Sequence, residues 1–357
     1  MLFIILAFNF NTAQSFEDCV DSGTEPSNAA RLYKVNKTST GYSTLSPIEQ
    51  KEAKGEFVFE VLVEDVRFTT YKCWDQHGNI TGFDAQLITE ILKDSNIKYV
   101  KFIPIKWETQ VYKGEEQLSF FAQLNRGNGH VAIAGMSITN ERRGWADMVG
   151  PIYRAGKRLM ARKDNLKATL DLLNIPESGY EKLRGLSVLV QGTNIRGQFF
   201  RELKKQNPDL VEYATFDSNG MVNNLDANKL MVIEVDDYEV VNQFIDSQMN
   251  DLIMGVNVDL VMVDTGSTLS LLEEGKLDVE TRLITGNLST DPDLGSIFGL
   301  GDGIAVKKDN NNWKTFLERR VKSLVNDGTV DQLVHKWFKD DNSADKEWAK
   351  RQCSSLL

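Results

Sequence analysis

Histidine and cysteine are scarce in this 357-residue chain, with three of each. His77, His130 and His335 lie far apart, and Cys19, Cys73 and Cys353 form no C-x-x-C pair. A zinc site has no sequence support, and no metal or other cofactor is expected. The cysteines fit either one disulfide plus a free thiol or three separate buried thiols. Nucleotide and hydrolase signatures are missing too: there is no G-x-x-x-x-G-K-[ST] loop, no G-x-S-x-G elbow and no H-E-x-x-H. Gly299-Leu300-Gly301-Asp302-Gly303 lacks dinucleotide spacing and precedes a strand, so it reads as a flexible crossing. A basic excess is also lacking: 41 Lys and Arg face 51 Asp and Glu, a formal charge of −10. Such a chain has no general attraction for phosphate backbones, and nucleic acid is not expected as a partner. Beyond the first residues, no run is apolar enough to cross a bilayer.

What is present is ordinary globular composition, 41% hydrophobic and 26% charged. At ~150 residues per domain the length suggests two domains. Residues 1–8, MLFIILAF, are too short to span a membrane and fit the apolar part of a secretory signal peptide. Cleavage is expected near residues 13–15, although no basic residue precedes the run; a terminal strand is the alternative. Residues 16–55 are polar and aperiodic, and read as a mobile arm or a loose surface wrap.

From Glu56 onward strand-like and helix-like runs alternate. Residues 57–63 (FVFEVLV), 131–134, 158–161, 186–190 and 258–263 read as strands. The last two are almost uninterrupted apolar runs, which suits strands covered on both faces. Helical patterns follow at 195–205, 265–274 and 312–326. Asp84 is placed to cap a helix burying Leu87, Ile88, Ile91 and Leu92. Thr329-Val330-Asp331-Gln332 reads as a capping box after a Gly328 stop. The alternation predicts an α/β protein with mostly parallel sheets flanked by helices.

The most informative stretch is residues 132–156, AIAGMSITNERRGWADMVGPIYRAG. A strand ends there, Gly135 permits close backbone approach, and Ser137 and Thr139 add hydroxyls. Arg142 follows within one helical turn, and its fork can hold a carboxylate at the carboxyl end of a strand. A capped helix with surface arginines fits the same spacing.

This stretch resembles the polar amino-acid solute-binding proteins of ABC transporters, whose pattern is G-x-[ST]-I-T-x-E-R followed by a G-P-x-Y element. Gly82-Phe83-Asp84, Val190-Gln191-Gly192-Thr193 and the closing stretch 303–338 agree in order and spacing. The resemblance runs from about residue 57 to 338. It implies a two-lobed, periplasmic-binding-protein-like (type II, Venus-flytrap) fold that closes on an α-amino acid and hands it to a membrane permease. Lobe one would be 56–156 plus 302–338, lobe two 157–301, and 339–357 a tail. The protein would be an extracytoplasmic or periplasmic monomer and not an enzyme.

Carried over by residue, the resemblance implies that Arg142 clamps the α-carboxylate, helped by Ser137 and Gly135. Thr193 would add its N–H and hydroxyl from the start of a helix, where unpaired N–H groups favour an anion. Asp264 would accept the α-ammonium; a helix cap is its bland alternative. Phe68 and Trp107 would wall the aliphatic part. Asp65, Arg67, Val190 and Val263 would lie near the side-chain pocket. Departures from the pattern are the missing proline after the first strand, an insertion at 108–117 and an extra segment at 211–230. Two other readings share the fold. One is a cyclohexadienyl dehydratase-like lyase, with Glu64 or Asp65 as general acid. The other is a soluble amino-acid sensor.

Overall fold

The computed structural model describes residues 31–35, 37, 42–45, 50, 53–65, 70–74, 79–162, 165, 172, 174–236, 238–266, 268, 281–283 and 285–338. Phe68, Arg67, the signal-like run and the tail lie outside them, as does most of the helical pattern 265–274.

The chain first lays down β1 (Arg31–Val35), β2 (Tyr42–Thr44), β3 (Val58–Glu64), β4 (Cys73–Trp74) and β5 (Ile80–Thr81). Helix α1 (Phe83–Lys93), β6 (Tyr99–Ile105) and the hairpin β7 (Thr109–Tyr112) and β8 (Glu115–Leu118) follow. Next come α2 (Ser119–Arg126), β9 (Val131–Ser137), α3 (Asn140–Trp145) and β10 (Ala146–Tyr153). A second sheet then takes β11 (Lys157–Arg162), β12 (Ser187–Gln191), α4 (Ile195–Gln206), β13 (Val211–Tyr213), β14 (Leu230–Val235), α5 (Tyr238–Asp246), β15 (Leu260–Asp264) and β16 (Thr281–Leu283). The chain returns to the first sheet with β17 (Asp302–Lys307), α6 (Asn311–Asn326) and α7 (Thr329–Trp337).

The first sheet runs β10-β17-β9-β3-β6-β1-β2 and the second β13-β14-β12-β15-β11-β16. Parallel pairing holds the middle of each: β3 lies parallel to β6 and β9, and β12 to β14 and β15. Antiparallel strands complete them, including β1 on β6 and β11 on β15.

Strand alternation sends Phe59, Val61 and Val63 of β3 to one face, against Leu87, Ile88 and Ile91 of α1 and Leu317 and Val321 of α6. Leu62 goes to the other face with Phe120 and Phe121 of α2. In the second sheet Val188 and Val190 meet Phe199 and Phe200 of α4, while Leu189 and Val263 meet Phe244 of α5. Helices on both faces explain why these strands read as unbroken apolar runs.

Three local expectations are corrected. Residues 31–35 and 42–44 of the polar arm are strands of the first sheet, and Tyr33 is fully buried. Asp84 caps nothing: Gly82 stands at the N-cap of α1 without a side-chain bond, and Asp84 is buried. Likewise Thr329 is the first residue of α7, after Gly328 at φ 83°, and gives no side-chain cap.

The two connections between the sheets leave from paired positions, Tyr153 on β10 opposite Asp302 on β17. The glycines there are close-packed rather than a flexible crossing. A Cβ at Gly299 (φ +75°) would sit 2.4 Å from the Ile138 carbonyl oxygen, and one at Gly301 2.8 Å from that of Tyr153. Cys73 is disulfide-bonded; Cys19 and Cys353 lie outside the described residues.

Candidate ligand-binding site

Strand ends from both sheets converge near the two connections: Glu64 of β3, Ser137 of β9 and Asp302 of β17 from the first, Gln191, Asp264 and Lys157 from the second. Contact across the cleft is direct, because Gln191 Nε2 donates to the Trp107 carbonyl at 3.4 Å.

Arg142 sits in the first turn of α3, whose N-cap is Thr139; the Thr139 hydroxyl oxygen accepts from Arg142 N–H at 3.2 Å. The side chain runs back beneath the end of β9, 4% exposed, and Nη1 donates to the Ser137 carbonyl at 2.9 Å. The guanidinium carbon lies 5.4 Å from the centre of the Trp107 ring, within cation–π range. Burial lowers the Arg142 pKa to about 10, with Asp302 and Glu141 acting against it, so the group stays cationic near neutrality. Arg142 makes no ion pair with a described residue. Trp107 packs 5.2 Å from Phe120, and its Nε1 is buried without a hydrogen-bond partner.

Ser137 and Asp302 are partners in the β9–β17 register, and Ser137 Oγ donates to Asp302 Oδ1 at 3.1 Å. Tyr71 OH donates to the other carboxylate oxygen at 3.0 Å. Burial raises the Asp302 pKa to about 6, against the opposing pull of Lys157 and the two hydroxyls. Gly135 has φ +56°, but the group pressed against it is the Tyr71 ring, 2.9 Å from where a Cβ would stand. Its backbone N–H donates to Asp84, a carboxyl that burial holds well above the usual range.

Asp264 lies between two cations of its own lobe. Lys157 Nζ contacts Oδ1, and Arg196 Nη2 lies 3.0 Å from Oδ2. Burial alone would push this carboxyl up; the Arg196 and Lys157 charges outweigh it and hold it at about 2. Thr193 is exposed, and the start of α4 is capped instead by Asn194, whose Oδ1 accepts from Arg196 N–H at 2.8 Å.

Asp65 is half-buried, with its N–H on the Ile105 carbonyl. Beside it Glu64 is raised to about 7, by burial above all, while Lys72 and Arg196 act to lower it. Lys72 Nζ donates to the Glu64 carbonyl at 2.7 Å. Val190 and Val263 are each buried in a core of the second sheet. The fold therefore brings Trp107, Ser137, Arg142 and Asp264 together, and adds Tyr71, Lys72, Lys157, Arg196 and Asp302. Their one sequence signal was position: a charged side chain at the first or last residue of an apolar strand (Lys157, Asp302).

Among the described residues no cluster of His, Cys, Asp and Glu could hold a metal ion, and no helix is long and apolar enough to cross a membrane.

Two α/β lobes joined by paired connections, with charged strand ends facing each other, define the two-lobed solute-binding fold of type II periplasmic binding proteins. The profile of the bacterial extracellular solute-binding proteins, family 3, matches residues 63–340, and the chain belongs to that family. The L-cystine-binding protein of Escherichia coli K12 is 22% identical over 262 residues, 73% of this chain and 75% of that protein. The glutamine-binding protein of a Bacillus subtilis 168 ABC transporter is 22% identical over 266 residues, 74% and 75% of the two chains. A probable histidine-binding protein of Neisseria gonorrhoeae matches over 110 residues at 24% identity, 31% of this chain and 37% of its own length. Among solved structures, an ancestral arginine-binding protein bound to arginine superimposes with a TM-score of 0.53 at 22% identity, over 78% of this chain and 97% of its own. An ancestral amino-acid-binding protein, a precursor of cyclohexadienyl dehydratase, gives 0.52 at 18% identity, over 82% and 100%.

Proposed function

We propose that this protein binds an α-amino acid in the cleft between its lobes and delivers it to the membrane permease of an ABC importer, acting outside the cytoplasm after export by an N-terminal signal at residues 1–15. The observation that carries the reading is Arg142. It is a buried guanidinium at a strand end, it spends one N–H on Ser137, and it has no carboxylate partner among the described residues. A planar fork with unspent donors is complementary to a carboxylate, and burying it unpaired is costly. The unpartnered Trp107 Nε1 beside it supports the same location. The lobes would be 56–156 with 302–338, and 157–301, and closure is hinge bending about the two connections. Its test is a thermal-shift screen of protein refolded free of bound ligand, against the common L-amino acids, polyamines, small dicarboxylates and prephenate. A ligand that binds only the folded state stabilises it by RT ln(1 + [L]/Kd), about 2.7 kcal/mol at a hundredfold excess over Kd. One or a few α-amino acids should raise the melting temperature of the parent and not of Arg142→Ala.

Glu64, held near neutrality in its protonation, keeps a lyase reading in view. Conversion of prephenate or arogenate by the purified protein would decide for it.

A further inference from the structure

The indole of Trp107 lies beside Arg142, while its backbone carbonyl turns to the other lobe. Bonds on either side fix this short stretch. Glu108 N–H donates to the Lys106 carbonyl at 3.0 Å and Ser119 N–H to the Glu108 carbonyl at 2.8 Å, closing the neck of the β7–β8 hairpin. Between them the Trp107 carbonyl accepts from Gln191 Nε2 of the second lobe at 3.4 Å. Among the described residues no group of the first lobe donates to it.

Gln191 is the last residue of β12 and only 2% exposed. Its own lobe holds the amide from two sides. Nε2 also donates to the Asp236 carbonyl at 3.1 Å, and Oε1 accepts from Asn194 Nδ2 at 3.0 Å. Asn194 is the N-cap of α4, the helix that carries Arg196. A side-chain amide has two N–H donors in one plane. With one spent on Asp236 and the oxygen held by Asn194, the other is already aimed at Trp107 and needs little further ordering to bond. Donor and acceptor belong to different lobes, so hinge opening separates them and closure reunites them. We propose that Gln191 is a positioning residue that latches the closed cleft: through the Trp107 carbonyl it keeps the indole over the Arg142 guanidinium, 5.4 Å from the ring centre, and so ties lobe closure to the carboxylate clamp. This rests on the amino-acid reading above. The latch forms after a ligand has entered the open cleft, so it slows departure and leaves arrival unchanged.

Stopped-flow fluorescence and solution X-ray scattering test the assignment. The probe is the tightest binder among the common L-amino acids, each screened by thermal shift against the ligand-free parent. Gln191→Met keeps the length of the side chain without a donor. Gln191→Glu keeps the oxygen that Asn194 uses and turns an acceptor towards two carbonyls, and it serves if Gln191→Met does not fold. Either variant should speed dissociation about fivefold or more, the worth of one net hydrogen bond, with the association rate unchanged. The saturated variant should also have a larger radius of gyration than the saturated parent. A residue that only supports the second lobe would lower the melting temperature of the ligand-free protein and leave dissociation from the folded fraction at the parent rate. That result overturns the latch and leaves the amino-acid reading intact. If the parent binds none of the common L-amino acids, the amino-acid reading itself fails, and the latch with it.

Discussion

Asp264 and Asp302 are the same side chain with its pKa shifted in opposite directions. Two cations keep the first ionised, while burial works to keep the second neutral. The folded pKa of Asp302, about 6, lies above its ordinary 3.8, so the group contributes stability below about pH 3.8 and loses it as pH rises through 6. Asparagine does not titrate. Asp302→Asn should therefore match the parent near pH 4 and melt at a higher temperature above pH 7; thermal melts at both pH values check the sign. Asp264 runs the other way, its contribution present above 3.8 and lost as pH falls towards 2. Steric predictions are equally local. Gly299→Ala places a Cβ 2.4 Å from the Ile138 carbonyl oxygen at a positive φ, and should cost about 2 kcal/mol or more by urea denaturation. Trp337 is fully buried with Nε1 donating to Gln86 Oε1 at 2.9 Å, and Trp337→Ala should cost about 3–5 kcal/mol.

At the scale of elements, the segment before Glu56 is part of the first lobe's framework. Strand β1 covers what would otherwise be the open edge of β6, and Tyr33 packs edge-on to Phe102 at 5.9 Å between ring centres. Just beyond β1, Lys37 Nζ donates to the carbonyls of Leu92, Ser95 and Ile97, closing the C-terminal end of α1. Tyr33→Ala should therefore destabilise the whole domain by about 3–5 kcal/mol, where a loose wrap would tolerate it; chemical denaturation distinguishes the two. The sequence could not reveal β1 because five residues, Arg31–Val35, offer only a Tyr-x-Val alternation amid polar neighbours. The long apolar strands were legible for the opposite reason, since helices cover both their faces and the whole run must be apolar. Thr139 and Arg142 were legible from spacing, because one helical turn fixes their relation, and Ser137 from its place at the end of the preceding strand. Asp302 was not: its place in the site depends on pairing with Ser137, a partner 165 residues away in sequence. The caps at Asp84 and Thr329 fail because a positive-φ glycine, Gly82 or Gly328, enters each helix instead.

At the scale of the molecule, the charges of the cleft alternate between lobes. Glu64 and Asp302 of the first lobe fall in the fields of Arg196 and Lys157 of the second. Binding between such lobes is expected to be coupled to closure, with a smaller radius of gyration in the liganded protein by solution X-ray scattering. The central claim is that Arg142 holds the carboxylate of an α-amino acid in this cleft. Isothermal titration of the ligand-free parent and of Arg142→Ala with the best amino acid from the thermal screen tests it most directly. The account predicts one saturable site in the parent and a loss of at least ~2 kcal/mol, about thirtyfold, in the variant. Equal affinity in a folded Arg142→Ala would contradict it.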